Sequence, residues 1–144
     1  MIAEVDLTFF PRLVCVGFTV VSADDLDWET RPSEPGEARR HVAGLTELAG
    51  LQHSRGSLWR YEPGAKGRRH REPVQEETFV VVRGTLTMYL GDPPERHQVN
   101  QGGVVHVDAE TPRQSVNEAD AELLVFVYGA PPDLERGEIL DSAV

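Results

Sequence analysis

Between Gly64 and Gly84 the chain reads GAKGRRHREPVQEETFVVVRG. His70 is followed two residues on by Glu72, and Glu76 and Glu77 come soon after. Imidazole and carboxylate are the side chains that hold divalent ions and that move protons near neutral pH. Two chemistries are therefore open to this stretch. One is an ion held by nitrogen and oxygen donors. The other is acid–base work by a histidine beside a carboxylate whose pKa burial can tune. The rest of the chain offers no nucleophile, triad or cofactor motif. The single cysteine, Cys15, excludes an intrachain disulfide and a thiolate cluster, and its place in the alternating run LVCVGFTVV implies a buried structural thiol. His41, His53 and His97 carry no ligand spacing. His106, between Val105 and Val107, falls on a strand and either lines a pocket mouth or packs outside.

Such groups need a scaffold to bring them together. The 144 residues, 40% of them hydrophobic, suit one domain with a real core. Ten prolines and thirteen glycines punctuate short apolar runs, the mark of an all-β chain. The net charge of −10 opposes a phosphate backbone or an anionic membrane, so neither nucleic acid nor membrane is expected as a partner. The opening MIAEVDLTFF lacks the basic start of a secretory signal. The longest apolar stretch is too short to span a bilayer. A cytoplasmic location is the expectation.

Periodicity predicts a strand over Leu13 to Val21 and then an acidic, proline-bearing loop. ARRHVAGLTELAG sets Val42, Leu45, Leu48 and Ala49 at helical spacing before Gly50, which predicts a short helix. From there strands follow at near-even intervals: SLWRYE, RRHRE, ETFVVVR, TLTMYLG, RHQVN, GGVVHV, RQSVN and AELLVFVYG. Trp59 and Tyr61 share one face of their strand, as core or as pocket wall. Leu86, Met88, Leu124, Phe126 and Tyr128 are candidates for the same roles. This divides the chain into an extension over residues 1–50, a barrel over 51–130 and a polar tail over 131–144. In the tail Leu134, Ile139 and Leu140 are expected to pack on the outside. Many short strands with glycine and proline turns predict a sandwich or a barrel.

The stretch from Gly64 to Gly84 resembles the first motif of the cupin superfamily, G-(x)5-H-x-H-(x)3,4-E-(x)6-G. Gly64, His70 and Gly84 fit, and Glu72 stands where the second histidine belongs. Glu77 and Glu76 both satisfy the glutamate spacing from the histidines, and the distance to Gly84 favours Glu77. GGVVHVDAETPRQSVN, Gly102 to Asn117, resembles the second motif, G-D-x-V-x-x-P-x-G-x-x-H-x-x-x-N. Gly102 and Asn117 fit. Asp108 stands at the usual proline, Glu110 at the usual glycine and Arg113 at the usual histidine. The resemblance covers about Ser57 to Tyr128. It implies a jelly-roll barrel of two sheets with a pocket between them, into which His70, Glu72, Glu77 and Arg113 point. In metal-binding cupins these four places hold three histidines and a glutamate around manganese, iron, nickel, zinc or copper.

Exchanging histidine for Glu72 keeps a ligand, since carboxylates suit hard and borderline ions. Exchanging it for Arg113 does not, because guanidinium has no lone pair and stays protonated. Arg113 is expected to pair with Glu72 or Glu77 as an internal cation, so no cofactor is expected. The alternative is a divalent metal on His70, Glu72 and Glu77 with Arg113 turned away. Three functions follow from the resemblance. The first is a non-catalytic protein, or one of unassigned activity, that binds a small polar molecule in the barrel. The second is an enzyme: a metal-dependent isomerase, dioxygenase or decarboxylase, or a metal-free protein moving protons with His70 and Glu77. The third is a structural dimer with a vestigial pocket. A homodimer is expected in any case, since open sheet edges need cover.

Overall fold

The computed structural model describes residues 17–132 and 137–144. Cys15, Leu134 and residues 13–16 of the strand expected over Leu13 to Val21 lie outside them. Residues 17–21 are described and form no strand.

Eleven strands are formed among the described residues. In chain order they are β1 (Trp28–Thr30), β2 (Arg40–Gly44), β3 (Arg55–Tyr61), β4 (His70–Arg71), β5 (Glu76–Arg83), β6 (Thr85–Leu90), β7 (Glu95–Asn100), β8 (Val104–Val107), β9 (Arg113–Val116), β10 (Leu123–Ala130) and β11 (Glu138–Ile139). They make two antiparallel sheets. Sheet A has the order β1-β2-β3-β10-β5-β8, and sheet B the order β11-β4-β9-β6-β7. Facing one another, they form the jelly roll that the cupin resemblance implies. Sheet A takes in β1 and β2 ahead of residue 51, and sheet B takes in β11 beyond residue 130.

The core lies between the sheets. Phe79 and Val81 of β5, Leu86 and Met88 of β6, and Leu123 and Val125 of β10 are all buried there. Alternation along each strand does this work, since successive side chains take opposite faces. Two polar links tie the sheets near the core. Tyr61 Oη of sheet A meets Ser115 Oγ of sheet B at 2.7 Å. Asn117, wholly buried, donates to the carbonyls of Tyr61 and Ala121, both at 2.9 Å.

Two expectations are corrected. ARRHVAGLTELAG is not a helix: Arg40 to Gly44 is β2, paired in register along β3 from Tyr61 to Ser57. Only one helical turn follows, with Ala49 N–H donating to Leu45 and Leu51 N–H to Thr46. Gly50, at φ +70°, closes it, so the stop signal worked on a single turn. The ladder to β3 outweighs helical spacing over so short a run. On β10 the expected residues are on the wrong face. Leu123, Val125 and Val127 pack inward, while Leu124 and Phe126 are half-buried on the outer face and Tyr128 is exposed. Both faces of β10 are apolar, so hydropathy gives no parity.

Gly84 joins β5 to β6 at φ +86°, and a Cβ there would sit 2.7 Å from the Glu122 carbonyl oxygen. Gly102 has φ +87° with nothing within 4 Å. Left-handed backbone costs a side chain about 1–2 kcal/mol, and overpacking adds about 1–3 kcal/mol. Gly84→Ala should therefore lose about 2–4 kcal/mol in urea unfolding, and Gly102→Ala only about 1–2 kcal/mol. Equal losses would show that crowding at Gly84 is relieved without cost.

Candidate functional site

The site is assembled from both sheets. His70 on β4 and Arg113 on β9 are register partners in sheet B. Glu77 comes across from β5 of sheet A, opposite Val107 and Gly129 in its ladders. Along β5 the pleat sends Glu77 and Phe79 inward and Glu76 and Thr78 outward. The choice between the two glutamates is thus made by strand parity: Glu77 faces the cleft and Glu76 is exposed. Glu72 follows β4, and its carbonyl accepts the Glu110 N–H at 2.6 Å.

Arg113 is the most enclosed of the four, only 1% exposed. Its Nη1 donates to Glu77 Oε1 at 2.8 Å. Its Nη2 donates to the carbonyls of Asp108 and Thr111, at 2.8 and 3.0 Å, and Nε donates to Thr111 at 3.1 Å. Those carbonyls belong to the turn after β8, where Glu110 holds φ +68°, a conformation that favours glycine. The sequence reading has Glu110 at the motif's glycine place, and the backbone there keeps the glycine geometry.

His70 Nδ1 lies 3.0 Å from the Arg68 carbonyl. A proton on Nδ1 donates to that carbonyl and fixes the ring with Nε2 toward the glutamates. Nε2 stands 3.3 Å from Glu72 Oε1 and 3.5 Å from Glu77 Oε1. Burial alone would lower the His70 pKa. The hydrogen bond with Glu77 opposes it, joined by the Arg68 carbonyl and the charges of Glu77 and Glu72, and the net shift is upward. Burial would raise the Glu77 pKa. The hydrogen bond with His70 opposes it, then the Arg113 charge, and the net shift is downward.

His70, Glu72 and Glu77 line a cleft of about 260 Å³, with Trp59, Phe79 and Val127 as its apolar wall, while Arg113 is not part of the lining and reaches the site through Glu77. Thr46, Arg55, Ser57, Gln75 and Gly129 also line it. Parity from Trp59 reaches Ser57 and Arg55, and parity from Glu77 reaches Gln75, so those three were open to sequence reasoning. Nothing local marks Thr46 or Gly129. Trp59 packs edge-to-face on Tyr61 at 6.1 Å, which places Trp59 at the wall and Tyr61 in the core. His106 is outside, exposed, with Nδ1 3.0 Å from Thr78 Oγ1.

The donor set can be tested against a divalent ion. Ligand atoms about 2.1 Å from an ion, at roughly 90–110° to one another, stand about 3.0–3.4 Å apart. The separations of 3.3 and 3.5 Å suit such a set better than they suit close ion pairs, and all three donor atoms lie within 4.8 Å of one another. The two separations from His70 thus suit His70, Glu72 and Glu77 as a candidate donor set for one ion. The fourth side is closed by Arg113, which hydrogen-bonds the same Glu77 oxygen.

Residues 57–128, half of the chain, match the family described as the cupin domain, and the chain belongs to that family. Among solved structures it is similar to a sugar phosphate isomerase of the cupin superfamily from Silicibacter pomeroyi. That match is at 26% identity and TM-score 0.67, over 78% of this chain and 75% of the other. It is similar to a putative sugar phosphate isomerase from Acidithiobacillus ferrooxidans at 22% identity and TM-score 0.66, over 77% and 74%. A predicted oxalate decarboxylase from Thermotoga maritima matches at 15% identity and TM-score 0.68, over 78% and 99%. The last two, below a quarter identical, speak for the fold. No curated protein matches the sequence.

Two outcomes follow from the buried charges. Arg113→Ala should destabilise by about 3–5 kcal/mol in chemical denaturation, because it leaves Glu77 buried without its cation; a loss below about 1 kcal/mol would mean that water replaces the guanidinium. The pH dependence follows from the two shifts. His70, raised, stabilises fully below its ordinary 6.5 and loses that contribution as pH climbs through its folded pKa. Glu77, lowered, contributes above its ordinary 4.5 and loses it as pH falls through its folded pKa. Wild type minus His70→Gln should thus show a stability difference that shrinks as pH rises above 6.5. A difference that grows instead would reverse the sign assigned to His70.

Proposed function

We propose that this cupin binds a small polar molecule in the cleft between its sheets. The observation that carries the reading is the arrangement of His70, Glu72 and Glu77 beside Trp59 and Phe79, with Arg113 already supplying a counter-charge. Ligand pockets are usually largely apolar with a few placed polar groups, and about 300–1,000 Å³ in volume. This cleft is near the lower bound, which suits a small metabolite. Arg113 spends its donors on Glu77 and on the backbone carbonyls of Asp108 and Thr111. The ionisable groups beside it that are left to a ligand are then the carboxylates and one imidazole, with Thr46, Arg55, Ser57 and Gln75 on the surrounding wall. The carboxylates call for hydrogen-bond donors, such as hydroxyl, amide or ammonium groups. His70 beside Glu77 also has the chemistry to pass a proton to or from a bound molecule. A thermal-shift panel of polyols, sugars, amines and carboxylic acids tests the reading. Donor-rich members should raise the melting temperature of wild type and lose that effect in Glu72→Gln and Trp59→Leu. A panel with no active member, or shifts indifferent to both substitutions, would refute it.

A second reading is favoured by the donor spacing. A divalent ion would be held by His70, Glu72 and Glu77 and would supply Lewis-acid polarisation of a substrate oxygen. Glu77 would then serve both as a ligand and as the partner of Arg113, and the Arg68 carbonyl, by taking the Nδ1 proton, would leave His70 Nε2 as the ligating nitrogen. The likeness to a sugar phosphate isomerase from Silicibacter pomeroyi supports an isomerase of this kind. Elemental analysis of wild type beside Arg113→His separates the readings. On the first, metal appears only in the histidine variant, where a lone pair is restored. Near-stoichiometric metal in wild type puts the second reading first.

For the assembly we propose a homodimer through the outer face of sheet A. The support is an apolar row in ladder register, Leu58–Phe126–Val80–Val104, whose first three members are half-buried and whose end residue Val104 is 59% exposed. Light scattering at micromolar concentration should give twice the chain mass for wild type and less for Val104→Lys. A monomeric wild type would reject it.

A further inference from the structure

The basic run from Lys66 to Arg71 sits oddly in a chain of net charge −10. None of its lysine or arginine side chains lines the cleft just described, and Arg71 pairs with Glu138. Lys66, Arg68 and Arg69 line a separate groove of about 610 Å³, and Arg40 joins them from β2. Glu37 is the only acidic side chain among the lining residues. Its carboxylate is engaged locally, accepting the Glu34 N–H at 3.3 Å. Arg40, Lys66 and Arg68 have no carboxylate partner within ion-pair distance among the described residues. Arg40 instead stacks on Trp59 and Tyr61, at 5.3 and 5.9 Å, so its position is fixed while its charge stays unneutralised.

Arg69 adds a second sign. It is largely buried, leans on Asp92 at 3.7 Å and donates to the carbonyls of Gly91 and Asp141. Its buried Nε has no partner. A buried guanidinium N–H without an acceptor is costly unless a ligand or water supplies one. The opposite wall is the tail, held by Gln114. That buried amide donates to Ser142 Oγ and to the Gly67 carbonyl, and accepts the Ala143 N–H.

The geometry points to a second binding site in this groove, for a small oxyanion of the phosphate type. Arg40, Arg68 and Lys66 leave two guanidinium groups and one ammonium without a carboxylate among the described residues, beside the unpartnered Nε of Arg69. Planar arginine forks match a tetrahedral oxyanion bidentately, and Lys66 adds a point charge. The acidic surface elsewhere repels such an anion, so the groove stands out as the local attractor. The free ion and an organic phosphate monoester share this chemistry.

The test is a ¹⁵N NMR titration of the full chain with inorganic phosphate, chloride being adjusted to hold ionic strength constant. Saturable shifts are expected at the amides of Lys66, Gly67 and Arg68. The double charge reversal Lys66→Glu/Arg68→Glu should weaken binding at least tenfold, while Arg55→Ala, at the cleft, leaves it unchanged. If the double reversal does not fold, Lys66→Gln/Arg68→Gln takes its place, with a smaller loss expected. A parallel titration with glycerol 1-phosphate separates the sources: tighter binding than inorganic phosphate assigns the site to a monoester, and equal or weaker binding to the free ion. Shifts that chloride reproduces at equal ionic strength would overturn the inference. So would shifts that centre on the cleft and vanish in Arg55→Ala.

Discussion

Arg113 and Glu77 hold each other across the gap between the two sheets. The arginine belongs to sheet B and the glutamate to sheet A, and their 2.8 Å contact is made where water hardly reaches. A buried carboxylate without a cation is costly, and so is a buried guanidinium without an anion. Each is tolerated because the other is there. The turn from Asp108 to Thr111 exists in its present form to complete the arrangement. Two of its carbonyls take three more guanidinium N–H groups, and Glu110 holds a left-handed backbone to make the bend. The position of His70 follows, because it is the register partner of Arg113 on the neighbouring strand.

This constraint also sets the chemical choice at the site. One oxygen, Glu77 Oε1, is asked to serve Arg113 at 2.8 Å and His70 at 3.5 Å. The tighter contact goes to the group whose charge cannot be titrated away, which is where a full positive charge interacts best with a carboxylate. Glu72 is closer to His70 and carries no such competitor. The site therefore has a settled side, Arg113 with Glu77, and an open side, His70 with Glu72. A ligand or an ion would meet the open side, and its affinity would depend on what Arg113 has already neutralised. In the usual cupin pattern the fourth place is a histidine, which adds a donor. Here it adds a charge.

The distribution of the remaining charge has the same local logic. Glu76 and Glu77 are neighbours in sequence yet lie on opposite faces of one strand, each near a histidine. Inside, burial magnifies every interaction and shifts the pKa values of the pair. Outside, solvent screens them, and ion pairs of this kind are worth about 0–1 kcal/mol. The cations of the run from Lys66 to Arg71 divide similarly, with His70 turned to the cleft and Lys66, Arg68 and Arg69 to the groove.

Much of this was legible in the chain. Turn residues at near-even spacing predict a sandwich or a barrel of short strands, because glycine and proline end strands by local sterics alone. The motif spacing singled out His70, Glu72, Glu77 and Arg113, and the chemistry of guanidinium by itself bars Arg113 from ligating an ion. Other features were not legible, for physical reasons. A helix over Val42 to Ala49 and a strand over Arg40 to Gly44 draw on overlapping apolar residues, and the ladder to β3 decided between them. The inward face of β10 could not be read because both faces are apolar, and which side meets the core depends on the partner strands. The choice of Glu77 over Glu72 as the partner of Arg113 is set by the spacing of the two sheets. Local sequence determined which groups the site would contain. Only the packing of one sheet on the other decided which of them touch, because those contacts join residues 36 positions apart across the core.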